Sequence, residues 1–105
     1  MSHQGGCQCG AVRYEVSGTP QHVALQGETT TFNSSGNTMR SFCPTCGTGL
    51  FYRNEEYLPG IVDIQSATLD DPSVFPAGAH IQTAERISWM ADAHSLPAFE
   101  RFPSA

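Results

Sequence analysis

Cys43-Pro44-Thr45-Cys46-Gly47-Thr48-Gly49-Leu50-Phe51-Tyr52-Arg53 joins a Cys-x-x-Cys pair to a turn and then to a run of strand composition. Two cysteines at this spacing can grip one ion from a tight turn, with Pro44 restricting the backbone and Gly47 free to take a positive φ. A closer pair lies far upstream, Cys7-Gln8-Cys9, among the glycines Gly5, Gly6 and Gly10, which permit an unusual turn. The chain has 4 cysteines in all, so the count equals one tetrahedral four-thiolate zinc site. Cys7, Cys9, Cys43 and Cys46 are therefore the expected ligands of a single structural zinc ion, with sulfurs about 2.3 Å from the metal.

Two plainer readings compete with zinc. A redox Cys-x-x-Cys normally opens a helix after a strand, whereas Cys46 leads into turn and then strand. A bridge between Cys7 and Cys9 would be strained, because bridged Cα atoms sit about 4.4–6.8 Å apart in a defined orientation. Cross-pairing between the two motifs stays open in an oxidising compartment. No secretory signal is visible, and a cytoplasmic setting is expected.

Composition narrows the function classes. At 105 residues, with 39% hydrophobic and 14% charged residues, the chain reads as one domain spanning residues 1–105, neither disordered nor membrane-spanning. The formal net charge is -5, and the 5 basic residues are all arginine. That balance argues against a phosphate-backbone footprint, so nucleic acid is not an expected partner. Without lysine there is no side-chain amine for Schiff-base chemistry.

The strand pattern surrounds the cysteines. Ala11 to Val16 alternates, with Val12, Tyr14 and Val16 on one face and Arg13 and Glu15 on the other. Ser17 to Pro20 is a turn. Further strands are expected at Gln21 to Leu25, Thr29 to Asn33, Leu50 to Arg53 and Ile61 to Gln65, with a hairpin turn at Ser34 to Asn37. Leu69 to Pro72 is a turn or short helical start, while Ala79 to Gln82 and Ile87 to Met90 read as brief strands. Pro59, Pro72, Pro76, Pro97 and Pro103 make a long helix improbable in the second half. Phe32, Phe42, Phe51, Phe75 and Trp89 are expected in the core. The fold class is all-β, small sheets pinned by zinc.

Taken together, these segments resemble the glutathione-dependent formaldehyde-activating enzyme family, which also includes the centromere-protein-V-like proteins. The opening Gly5-Gly6-Cys7-Gln8-Cys9-Gly10-Ala11-Val12-Arg13-Tyr14 is similar to the family's start. Thr29 to Arg53 resembles its central block, and Ala67 to Pro76, Ala79-His80-Ile81, Trp89 and Leu96-Pro97 resemble its last third. The resemblance implies a β-tent, in which small antiparallel sheets converge on a structural zinc held by Cys7, Cys9, Cys43 and Cys46. It also implies carbon–sulfur lyase chemistry, the addition of glutathione to formaldehyde, at a second zinc with an open position. Active members hold that second ion with a Cys-His-Cys-x-x-Cys-Arg segment after the strand that corresponds to Gln21–Leu25. Here Leu25 runs straight into Gln26-Gly27-Glu28, so the domain is shortened near residues 25–26.

No other residue offers an obvious substitute. His22 lies nearest the shortened position and reads first as an ordinary strand side chain, and His80 as a structural hydrogen bonder. Asp70 and Asp71 read as turn and cap chemistry rather than an acid/base pair. Ser34, Ser35 and Ser41 lack a nucleophile motif. Three readings follow: a zinc-stabilised domain that is non-catalytic or binds a ligand, such as glutathione or another small thiol; an active enzyme whose catalytic segment is absent from this sequence; or an interaction zinc ribbon. Loss of the segment would uncover apolar surface, which a homodimer could mask.

Overall fold

The computed structural model describes residues 2–17 and 22–103. Two antiparallel sheets, each in chain order, account for the strands among these residues. The first contains β1 (Ser2–Gly6), β2 (Arg13–Ser17) and β3 (His22–Gln26); the second contains β4 (Thr30–Ser35), β5 (Thr38–Phe42), β6 (Gly49–Asn54) and β7 (Asp63–Ile64). Short 3-10 turns follow at Ser66–Thr68, Pro72–Val74 and Ser88–Ser95. No helix among the described residues is long and apolar enough to cross a membrane.

The alternation read in β2 is realised: Val12, Tyr14 and Val16 are buried, while Arg13 and Glu15 are partly exposed. These three side chains meet Leu50 and Phe51 of β6, together with Leu69, Cys7 and Cys43, to form the core. Leu50 and Phe51 are adjacent, so an unbroken strand would put them on opposite faces. A bulge resolves the conflict. Ser41 pairs with Phe51 and Phe42 with Gly49, leaving Leu50 as the extra residue, and both apolar side chains turn inward. The rings of Tyr14 and Phe51 then pack edge to face, with centroids 5.5 Å apart.

The segment after β7 ties the sheets together. Leu69 bridges to Gly5, and the Asp70 N–H donates to the Gln4 carbonyl at 2.9 Å. Gln65 donates to the Leu50 carbonyl at 2.9 Å on the other sheet. Beneath this strap, the Thr68 hydroxyl donates to the Gln65 carbonyl at 2.7 Å, so the Tyr14 hydroxyl, 2.6 Å away, must donate to Thr68. Burial pushes the Tyr14 phenol up, which keeps it protonated for that role. Arg13 adds a two-pronged ion pair to Asp70, at 3.0 and 2.5 Å.

β1 was not apparent in the sequence, because Ser2-His3-Gln4-Gly5-Gly6 has neither strand propensity nor alternation. Its pairing with β2 and the close approach at Gly5 fix it instead. A Cβ at Gly5 would lie 2.3 Å from the Tyr14 hydroxyl and 2.5 Å from the Thr68 carbonyl oxygen. Gly5 and Gly6 thus belong to a strand, and do not serve the turn proposed for them.

Several other expectations need correcting. β4 is a strand as its β-branched composition indicated, but it is an exposed sheet edge, so Phe32 is exposed rather than core. Phe75 and Trp89 are also exposed, Phe42 is half-buried, and of the aromatics named for the core only Phe51 is buried. The strand expected at Ile61 to Gln65 contracts to Asp63–Ile64. Ala79–Gln82 has no regular structure and Ile87–Met90 leads into 3-10 turns. Among the described residues neither run finds a strand partner, and between Pro76 and Pro97 the backbone closes only local hydrogen bonds there. Gly18 to Gln21, the heart of one expected turn and the first residue of the next expected strand, lie outside the described residues.

The contrast between two glycines tests this packing. Gly5→Ala drives a methyl into Tyr14 and a backbone carbonyl, and should cost about 1–3 kcal/mol, read as a lowered thermal midpoint. Gly49→Ala meets nothing within 4 Å at a φ that is not left-handed, and should be neutral or stabilising by about 0.4–1 kcal/mol. Equal effects would contradict the close approach at β1.

Candidate metal centre

Each cysteine pair sits in a loop that leaves a strand, and both loops close in the same way. β1 delivers Cys7, whose N–H donates to the Val12 carbonyl at 3.0 Å; β5 delivers Cys43, whose N–H donates to the Thr48 carbonyl at 3.0 Å. Inside each loop a glycine turns the chain back on the first cysteine. Gly10 donates to the Cys7 carbonyl at 3.2 Å and Gly47 to the Cys43 carbonyl at 2.8 Å. Both have left-handed φ, +83° and +79°, as the sequence led one to expect of Gly47 and of an unusual Cys7–Cys9 turn.

The four sulfurs converge. All lie within 4.8 Å of one another, with Cys7 and Cys9 at 3.6 Å and Cys9 and Cys43 at 3.8 Å. Tetrahedral thiolates about 2.3 Å from zinc stand about 3.8 Å apart, so the spacing suits such an ion. The thiols are free, and these separations far exceed the covalent distance of about 2.05 Å. Neither a disulfide nor a helix-opening redox pair describes the arrangement.

Backbone amides support negative sulfur. Val12 N–H donates to Cys7 Sγ at 3.2 Å, and Thr45 and Cys46 N–H donate to Cys43 Sγ at 3.3 and 3.5 Å. Thr48 joins the two loops, because its hydroxyl accepts the Gln8 N–H at 3.1 Å and lies 3.1 Å from Cys46 Sγ, where its proton can serve a thiolate. That hydroxyl, with the N–H groups of Thr48 and Cys9, draws the Cys46 thiol down to about 5. Burial pushes Cys7 up, but the Val12 N–H and the Cys9 and Cys43 thiols outweigh it, and the net shift is downward. The Ala11 N–H favours a Cys9 thiolate, yet the adjoining Cys7 raises Cys9 to about 11. Four like-charged sulfurs cannot all ionise unaided, and a divalent cation relieves that conflict.

Cys7 and Cys43 are buried, and Cys9 and Cys46 are exposed. With four protein sulfurs directed at one point, the cluster offers a single ion a full tetrahedral set of donors. A cleft of about 610 Å³ runs beside it, bordered by Gln8, Arg13, Thr48, Gln65 and Thr68.

The other candidates are dispersed. Among the described residues the four cysteines are the one grouping of three or more His, Cys, Asp or Glu able to share an ion. His22 is an exposed residue at the start of β3, and His80 is exposed in the irregular segment. Asp71 caps the Pro72–Val74 turn by accepting from the Ser73 N–H at 3.2 Å, which matches the cap reading. Asp70 is held by Arg13, which keeps its carboxyl below the usual range. Thr48 and the Arg13–Asp70 pair were not found from the sequence. Thr48 follows the motif directly and could have been suspected; a partner 57 positions away could not.

Comparison with known proteins gives one positive result. The model of the glutathione-dependent formaldehyde-activating enzyme family matches residues 23–85, from β3 through the second cysteine pair to the segment beyond the strap. A search of curated proteins and a search of solved structures gave no match. The match begins after Cys7 and Cys9, which the folded chain itself brings to Cys43 and Cys46. Since well over half of the chain fits the family model, this protein belongs to the glutathione-dependent formaldehyde-activating enzyme family.

Proposed function

We propose that this chain is a β-tent domain stabilised by one structural zinc on Cys7, Cys9, Cys43 and Cys46, and that it lacks the family's carbon–sulfur lyase chemistry. The observation that carries this reading is the convergence of all 4 cysteines at one point. No thiolate is left over for a second, open ion of the kind the resemblance assigns to active members. β3 runs through Leu25 and Gln26 as one strand paired with β2, at the position where those members carry their extra cysteines.

The chain's residues would then do structural work. Cys7 and Cys43 anchor the ion from within the core, Cys9 and Cys46 close it from the solvent side, and Thr48 holds Cys46 in place. A zinc ion so held supplies charge neutralisation and cross-linking of the two sheets. The cleft beside it, rich in amide and hydroxyl groups, is the surface on which glutathione or another small thiol could be retained as a ligand. A reducing compartment such as the cytoplasm suits four free thiols.

A second reading draws on the family match itself. If the natural protein contains a further cysteine segment between Leu25 and Gln26, it is a carbon–sulfur lyase that adds glutathione to formaldehyde. Metal content and activity separate the two.

The purified protein should contain one zinc per chain by elemental analysis, and two would overturn the non-catalytic reading. Glutathione and formaldehyde should form their adduct no faster with the zinc-loaded protein than in buffer, and a zinc-dependent acceleration would support the lyase. Cys43→Ser or strong chelation should unfold the domain, since structural zinc is worth about 10–16 kcal/mol of apparent binding free energy in peptide systems. Acid should act in the same direction. Cys46 has a folded pKa near 5, below its ordinary value of 9.0. The stability it contributes is therefore complete above about 9 and is lost as pH falls through about 5. Zinc release followed with a chromogenic chelator should increase on acidification, because protons compete with the ion for sulfur; release independent of pH would contradict thiolate ligation.

A further inference from the structure

We infer that the C-terminal arm, residues 76–103, docks into the groove between the two sheets of a second copy of this chain. The arm leaves the body after Phe75, whose ring meets His3 edge-on at 4.9 Å. Beyond that point, the hydrogen bonds among the described residues close within the arm, such as Arg86 N–H to Thr83, Met90 N–H to Ile87 and Leu96 N–H to Ala93. Yet the arm is not polar. Ile81 is 80% exposed, Trp89 60%, Leu96 60%, Phe99 61% and Phe102 96%. The radius of gyration is 16.2 Å, against about 13 Å for a compact domain near this size, as an unpacked arm requires.

The area is too large to leave in water. Aromatic side chains bury about 150–250 Å² each, so the exposed apolar groups of the arm offer on the order of 800 Å². That exceeds the roughly 300–600 Å² patch usual on a monomer, and equals what one partner contributes to a standard interface.

A matching acceptor lies on the same chain. A groove of about 590 Å³ runs between the sheets, walled by Val16, Val23, Leu25, Phe51, Ile61 and Val62. Its lining includes Arg53 and His22 and no carboxylate. The arm carries Glu85, Asp92 and Glu100 beside Arg86 and Arg101. The apolar area of the arm, set against the apolar walls of the groove, points to this pairing. Reciprocal exchange between two copies fills both grooves with both arms about one two-fold axis, a closed arrangement that leaves neither surface free. Whether the zinc site is catalytic has no bearing on this contact.

The chain has one tryptophan, and Trp89 lies in the arm, so its emission reports docking directly. Full-length, zinc-loaded protein should sediment at twice the chain mass, with short-wavelength Trp89 emission that moves red as dilution dissociates the pair. An arm variant, Leu96→Ser/Phe99→Ser, and a groove variant, Leu25→Glu, should each be monomeric with unchanged zinc content and far-ultraviolet dichroism. Mixed together they should form a heterodimer, because one intact arm and one intact groove remain. Three outcomes would overturn the inference. A monomer with short-wavelength emission at every dilution means that the arm occupies its own groove. A monomer with water-exposed emission means that the arm does not dock on this chain. A dimer insensitive to both variants uses another surface.

Discussion

Four sulfurs drawn to one point are the constraint on which this small structure depends. Among the described residues the largest fully enclosed side chains are Leu50, Val12 and Cys43, and one of the three is itself a sulfur donor. A core of that size provides little surplus over the conformational entropy of ordering the chain. The two sheets meet through β2, β6 and the strap at residues 65–70, and the cysteine loops lie at the same junction. An ion joining Cys7 and Cys9 to Cys43 and Cys46 would therefore fasten the sheets at the edge of the shared core. The shared hydroxyl of Thr48 makes the two loops a single unit before any ion is considered.

Much of this was legible in the residues, and for physical reasons. Alternation in β2 identifies its buried face because a pleated strand has period two, and the turn glycine Gly47 is set by the geometry of a tight loop. The cysteines were legible because sulfur is scarce here and its spacing is meaningful. What escaped was non-local. β1 is a strand because β2 is beside it, not because of its own composition. The inward turn of both Leu50 and Phe51 depends on a bulge that no propensity encodes. The exposed aromatics Phe32 and Trp89 escaped for a related reason: hydrophobicity signals a wish for burial, but the chain must also supply a partner, and within one copy it does not.

Family membership speaks first to architecture and only then to chemistry. The matched region spans β3 to the far side of the strap and includes the second cysteine pair, so it reports the architecture. All 4 cysteines of the chain converge in one cluster, a donor set that suits one tetrahedral ion.

The bulge in β6 carries a further consequence. Leu50 is surplus to the pairing of β5 with β6, and the residue just before that pairing is Thr48, which closes the Cys43 loop and supports Cys46. Sliding β6 by one place would expel either Leu50 or Phe51 from the interior and pull Thr48 out of step with both sulfur loops. The interior and the ion-binding loop are thus keyed to one another like a tooth and its slot. An insertion or deletion between Cys43 and Asn54 would therefore disturb both at once, so the length of that stretch matters to this fold more than the identity of its exposed side chains.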